Sequence, residues 1–337
     1  MKKKNSKPIL IFGHRAWLVI LAVWVVFGIS FGVWYFGFRS TVEQNTSFTI
    51  AGGASITSVA RQLRERNLIE SEDAFKITVR MMSGNVKRGL YDIPAGSSTF
   101  QIARMMARGD IATTTIMIPE GLTVQQIVAV LDRNEFLTGR ACVGANNACP
   151  RNGDLFPDTY RVAKGTSRAA VIELMRLKKS DIRHHFESGR QTFPRPLTTW
   201  DEVIIMASIV QKETPKKAEM PKVAAVFLNR LNQNMRLQAD PTVVYAVTDG
   251  LGDMQGRQLL RGHLQRPHPF NTYLNHGLPP APIANVGRAA IAAVLNPADI
   301  DYLFFVADGT GGHVFSRTYE EHRANHERWR EIRDARR

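Results

Sequence analysis

The sequence predicts an α+β protein in three parts: one apolar N-terminal helix, a small α+β module and a larger mixed α+β domain. Three observations carry this. An uncharged run occupies 16–38, a strand–turn–helix pattern repeats at 50–60, 93–103 and 118–128, and a series of helices leads through a loop-rich stretch to a hairpin and a last helix in the 337-residue chain.

The run Ala16–Phe38 holds 23 residues without charge. At helical rise it spans roughly 34 Å, enough to cross a bilayer. Lys2, Lys3, Lys4, Lys7 and Arg15 precede it and only Arg39 closely follows. That asymmetry predicts a cytoplasmic tail at 1–15, a transmembrane anchor at 16–38 and everything beyond on the outer side of the inner (plasma) membrane. Trp17, Trp34 and Tyr35 stand near the ends of the run, where amphipathic aromatics sit well. A cleaved signal peptide fits less well: the apolar core is too long and no small-residue cleavage site is evident.

The formal charge is +14; the five basic residues before the run leave +9 beyond it. An extracytoplasmic position and the lack of a nucleic-acid motif exclude a nucleic-acid partner and favour an anionic wall polymer or lipid surface, beside the plain alternative of a solvated basic surface. In an oxidising compartment Cys142 and Cys149 have the spacing of a short local disulfide.

The three repeats IAGGASITSVA, IPAGSSTFQIA and IPEGLTVQQIV each give a β-type residue, a glycine (Gly53, Gly96, Gly121) and a hydroxyl two residues later (Ser55, Ser98, Thr123) that caps a helix. Ser98 with Gln101 reads as a capping box. A helix at 72–83 puts Phe75, Val79 and Met82 inward. The module at 46–115 carries no obvious chemical site.

In the domain at 116–337, Leu155, Phe156 and Tyr160 read either as a plug in the core or as a sugar contact. Helices follow at 166–190, at 199–215 and from Pro221. Asp240 reads as an N-cap before Pro241. The segment 265–287 is a long irregular stretch of the kind that carries function. His263, His268 and His276 match no common metal-ligand spacing, so neither a metal nor a cofactor is expected. YLFFV and HVFS form a hairpin, and Thr318 with Glu321 caps a last helix.

Glu213 is the residue that carries chemistry. Val203, Met206, Ala207 and Val210 form a helical stripe that Glu213 continues, at a helix end where the backbone dipole disfavours a negative charge. Burial acts in the same direction, so the carboxyl should hold its proton as a general acid must. The plainer alternative is a Glu paired with Lys212 or Lys216 at a fraying end.

Taken together, EGLTVQQI, LFPDTY, MASIVQKET, FLNRL, MRLQADPTVVYA, FNTY, GLPPAPIANVG and YLFFVADGTGGHVFS resemble the YceG-like family, the endolytic murein transglycosylases, over roughly 46–337 and in the N-terminal anchor. The resemblance implies a membrane-anchored lytic enzyme that cuts peptidoglycan strands internally to 1,6-anhydro-MurNAc ends. It also implies a LysM-like module at 46–115, a catalytic domain at 116–337 and cooperation with peptidoglycan synthases (penicillin-binding proteins). The family's E-K-E-T motif reads Gln211-Lys212-Glu213-Thr214 here, retaining the second, essential acid. By family position Gln238, Asp240, Thr242, Tyr245, Asn271 and Tyr273 are the expected substrate-binding residues, with His313 a further candidate. A hydrolase using a second carboxylate (Asp240 or Asp158) and a non-enzymatic wall-binding scaffold are the competing readings.

Overall fold

The computed structural model describes residues 14–40, 42–143, 149–190 and 192–335. The chain divides into two compact units, one reaching to Thr113 and the other starting at Thr114. Lys2, Lys3, Lys4 and Lys7 of the expected basic tail, and the side chain of Arg15, lie outside the described residues.

The first unit contains α1 (His14–Phe38), β1 (Thr46–Ile50), α2 (Ile56–Glu65), α3 (Glu72–Met82), β2 (Gly89–Ile93) and α4 (Thr99–Arg108). The large apolar side chains described in α1 are exposed. Among the described residues no helix is long and apolar enough to cross a membrane.

Strands β1 and β2 pair antiparallel, with Phe48 opposite Tyr91 and Thr46 opposite Ile93. Phe48, Ile50, Tyr91 and Ile93 alternate onto one face and bury against Val59, Leu63, Phe75, Val79, Ile102 and Met106. Met82, expected inside, is 41% exposed: it is the last residue of α3 and lies past the end of the core.

The second unit contains β3 (Thr113–Met117), α5 (Val124–Asp132), β4 (Thr159–Ala163), α6 (Arg168–Glu187), α7 (Trp200–Glu213), α8 (Met220–Asn232), α9 (Asp240–Val247), α10 (Arg261–Leu264), α11 (Arg288–Leu295), β5 (Phe304–Ala307), β6 (His313–Ser316) and α12 (Tyr319–Asp334). β3 pairs with β4, and β5 with β6 as an antiparallel hairpin.

The repeated turn has one geometry wherever it occurs. Gly53 and Gly96 have φ of +81° and Gly121 has +82°, the left-handed region that favours glycine. Ser55, Ser98 and Thr123 accept the backbone N–H of Ser58, Gln101 and Gln126. A fourth copy, missed in the sequence, follows β4: Gly165 has φ +88° and Ser167 caps α6. Its Lys164-Gly165-Thr166-Ser167 turn carried the same glycine-to-hydroxyl spacing.

Two cores fill the second unit. Ile127, Leu131, Leu155, Tyr160, Val171 and Met175 form one, and the other surrounds α7. The plug reading of 153–162 holds for Leu155, Phe156 and Tyr160, all buried. Helix α7 differs from expectation. Ile204, Ile205, Ser208 and Ile209 are buried as well as the predicted stripe, because α8, α9 and α11 all pack on it. It is a central helix, buried along its middle turns, which fixes whatever stands at its end.

Asn285 ties the separate motifs together and is fully buried. Its Oδ1 accepts the N–H groups of Gly153 (3.0 Å) and Leu155 (3.1 Å), and its Nδ2 donates to the carbonyl of Leu122 (3.0 Å). Gly153, at φ +88°, stands where a Cβ would lie 2.8 Å from Pro282 Cγ and 2.9 Å from Ile204 Cγ2. Both neighbours are stiff, so Gly153→Ala combines left-handed strain with overpacking. The expected loss is about 2–4 kcal/mol of unfolding free energy, read as a lowered midpoint in urea; an unchanged midpoint would contradict the packing described here. Cys142 and Cys149 are joined in a disulfide.

Candidate active site

Helix α7 opens on a capping box in which Thr199 accepts from the N–H of Glu202. It ends at Glu213, where Thr214 turns the chain into extended conformation. No ion pair to Lys212 or Lys216 forms among the described residues, so the fraying-end reading fails. Glu213 as a residue is partly exposed, yet its Oε2 is buried and has no hydrogen-bond partner. Its pKa is pushed up from 4.5 to about 7, first by burial and second by the charge of Asp240, against the opposing charge of Arg230.

Arg230, on α8, is the cation of this group. It is buried; its Nε donates to the Leu303 carbonyl and its Nη1 to the Leu237 carbonyl, each at 2.6 Å. Those bonds tie α8 both to the approach of β5 and to the loop before α9. Sequence reasoning passed over Arg230, although it stands in the quoted FLNRL segment one helical turn after Phe227.

Asp240 corrects an expectation. It is the first residue of α9; Ala239 holds the N-cap position, and no side chain caps the helix. The Asp240 carboxylate is instead engaged by Tyr273, whose hydroxyl donates to Oδ1 at 2.6 Å. Burial and that bond raise the Tyr273 phenol, which stays protonated. Gln238, two residues before, is exposed and has φ +49°. A glutamine held in the left-handed region costs about 1–2 kcal/mol, and the Gln238 N–H to Thr272 carbonyl bond (3.1 Å) helps hold it there.

Of the other expected substrate contacts, Thr242 and Asn271 are buried in bonds to their surroundings, while Tyr245 keeps part of its surface open. Thr242 is fully buried; its hydroxyl bonds the Ala239 carbonyl at 2.7 Å and the Thr272 hydroxyl at 2.8 Å. Asn271 is 1% exposed; its Nδ2 donates to the carbonyls of Leu264 and Arg266, and its Oδ1 accepts from the Tyr273 N–H. It thereby shapes the loop that presents Tyr273. Tyr245 is half-buried: its ring packs on Phe270 and its hydroxyl accepts from Asn152 Nδ2 at 2.9 Å. A polar residue in a helix or loop motif can serve the backbone as readily as a ligand, and burial separates the two.

At the other side of the α7 terminus, Glu219 receives His313 twice: from Nδ1 to Oε2 at 2.8 Å and from the backbone N–H to Oε1 at 3.3 Å. His313 thus fastens the hairpin to the segment after α7. Gln211, which replaces the family's first acid, accepts the Gly287 N–H at 3.1 Å through Oε1. An ionised Glu would accept the same bond, so the exchange keeps the contact and removes a charge. Asp158 pairs with Lys178, and this bond holds its carboxyl below the usual range; it stays ionised.

A family model, the YceG-like family, matches residues 48–328. The chain belongs to the YceG-like family. Among curated relatives of this YceG-like chain, an endolytic murein transglycosylase of Bacillus subtilis (strain 168) is 29% identical over 319 residues, covering 86% of this chain and 85% of that protein. One of Streptococcus pneumoniae serotype 2 is 30% identical over 177 residues, covering 52% of this chain and 31% of that protein. The crystal structure of a YceG-like protein of Listeria monocytogenes superposes with a TM-score of 0.50 at 29% identity, covering 84% of this chain and 99% of that one.

Proposed function

We propose that this YceG-like chain is a lytic transglycosylase that cuts the MurNAc–GlcNAc bond inside peptidoglycan strands, with Glu213 as its single general acid and base. The observation that carries this reading is a carboxyl held near pKa 7, with one buried oxygen lacking any partner. At neutral pH a substantial fraction of Glu213 is protonated and able to donate.

In the reaction the Glu213 proton goes to the glycosidic oxygen as the bond from C1 to that oxygen breaks. The muramic 6-hydroxyl attacks C1, and its proton passes to the Glu213 carboxylate. A 1,6-anhydro ring forms, no water is consumed, and the carboxyl is regenerated. Because the nucleophile belongs to the substrate, proximity replaces a second protein carboxylate. Arg230 is a nearby positive charge for the carboxylate phase. Asp240, held by Tyr273, discourages ionisation of Glu213 before the sugar arrives.

The exposed apolar α1 and the run it continues support a single-pass anchor, N-terminus inside, in the inner (plasma) membrane. The module of three helices and two strands that follows α1 in the first unit supports a LysM-like, wall-binding role. Cooperation with peptidoglycan synthases is part of the same reading.

One observation favours a second reading: Asp240 lies close enough to shift Glu213, as a hydrolase with two carboxylates requires. Product mass separates the two. Sacculi digested by the chain from residue 46 onward should release fragments ending in 1,6-anhydro-muramic acid. Ordinary reducing ends would assign the hydrolase instead, and sacculus binding without soluble product would leave a scaffold.

A further inference from the structure

A cavity of the second unit lies toward the opposite end of α7 from Glu213, roughly 12–20 Å along the helix axis by its rise per residue. It encloses about 440 Å³ between α6, the first turns of α7 and the Pro280–Pro282 loop. Lys179 on α6 is part of its wall, with its Nζ buried just behind the accessible space. The side chain is only 7% exposed, and its Nζ has no hydrogen-bond partner. Its one aromatic neighbour is the Trp200 ring, 5.9 Å away. A buried ammonium without a partner is costly, and hydrophobic burial gives no reason for lysine at this position.

The surrounding groups indicate what would complete it. Arg176 and Arg183 lie one turn on either side of Lys179 on the same face of α6 and also line the cavity. Of the acids lining it, Asp154 is bound by the Arg151 N–H (2.9 Å), and Asp201 stands in the first turn of α7. Neither forms an ion pair with Lys179 among the described residues, although both charges favour its ammonium form against the burial that lowers its pKa. The lining is net positive, with Arg151, Arg176, Lys179 and Arg183 against Asp154 and Asp201; Arg183 Nε already donates to Glu187 (2.9 Å) and Arg176 Nη1 faces Glu173 (3.9 Å), which leaves their remaining N–H groups for a carboxylate. Opposite this basic wall, Ile204, Pro280 and Pro282 are apolar and stiff.

We infer that this cavity binds the carboxylate of a short peptide, with the carboxylate on Lys179 and the peptide's small apolar groups against the proline wall. A bare inorganic anion would use the basic wall and leave the apolar one idle. The binding stands on its own geometry. Only its source, a peptide branch carried by the glycan polymer, rests on the proposed function. On that reading the cavity senses peptide branches at a fixed distance from the bond being cut.

Calorimetric titration of the protein with N-acetyl-alanyl-alanine, with its C-terminal amide and with inorganic phosphate tests this. The free acid should bind and the amide should not, and phosphate should bind more weakly than the acid. Lys179→Met should weaken binding of the acid about tenfold or more, the effect of losing one charged hydrogen bond. Arg176 is exposed at the surface (57%), so Arg176→Gln keeps the fold and should weaken binding about two- to threefold at that screened site. Glu213→Gln should bind the acid as the parent does, which keeps this result separate from the fate of the catalytic reading. Absence of binding, equal binding of the amide, tighter binding of phosphate, or unchanged affinity in both Lys179→Met and Arg176→Gln would each overturn the assignment.

Discussion

Glu213→Gln is expected to lower release of 1,6-anhydro fragments from sacculi by about three orders of magnitude or more, within the range that one general acid–base group contributes. The amide keeps the shape and removes the proton. Of its described neighbours, Asp240 is engaged by Tyr273, and the Tyr273 phenol is held in its protonated form well above neutral pH. In the parent protein the acid must be protonated to act, so the rate should fall about tenfold per pH unit above the Glu213 pKa of about 7.

The same group couples activity to stability. Its folded pKa of about 7 exceeds its ordinary value of 4.5, so between these values the folded chain binds more protons than the unfolded one. Stability therefore falls as pH rises through this window and is level on either side. The gap corresponds to about 3 kcal/mol. Glu213→Gln, which does not titrate, should lose that slope and be more stable than the parent at pH 8, while matching it near pH 4. Urea unfolding at the two pH values measures this. An inactive variant with the parent's pH-dependent stability would show that Glu213 is not the buried acid described.

Arg230→Met has the largest expected effect on the fold. It leaves the carbonyls of Leu303 and Leu237 without their donors and Glu213 without its neighbouring cation. Removing one member of such a buried polar group costs about 3–5 kcal/mol, which for a unit of this size lowers Tm by roughly 10 °C. The Glu213 pKa should rise further, moving the high-pH limb of activity upward. Arg230→Lys separates the two effects. It restores the charge, and so the position of the limb, but an ammonium cannot serve both carbonyls from the fork geometry, so part of the stability loss remains. A limb that stays in place in Arg230→Met would remove Arg230 from the electrostatics of the site.

Much of the secondary structure was legible because it is written locally. A cap hydroxyl meets an N–H three residues on, and a left-handed turn needs its glycine at one position. Ser98 with Gln101 and Thr318 with Glu321 therefore appeared in the structure as capping boxes. The Glu213 helix and the 302–316 hairpin were legible for the same reason. Asp240 shows where local reading stops. Asp followed by Pro is a good helix start on spacing alone, but a phenol from a distant loop claims its carboxylate.

Thr242 and Asn271 were chosen as ligand contacts by family position, and only their burial reveals them as supports of the backbone. Arg230 and Lys179 were missed because an isolated basic residue on a helix reads as a solvated side chain until its surroundings are known.

The amino-acid sequence alone determined the capped starts of several helices, that Glu213 closes an apolar helix, and which family the chain resembles. These depend on contacts within a few residues. The tertiary structure alone decided that α7 is buried along its middle turns, that burial, Asp240 and Arg230 set the protonation of Glu213, and that Lys179 lacks a hydrogen-bond partner in a basic cavity wall. Desolvation and charge coupling are sums over groups brought together from distant segments, and no short window of sequence contains them.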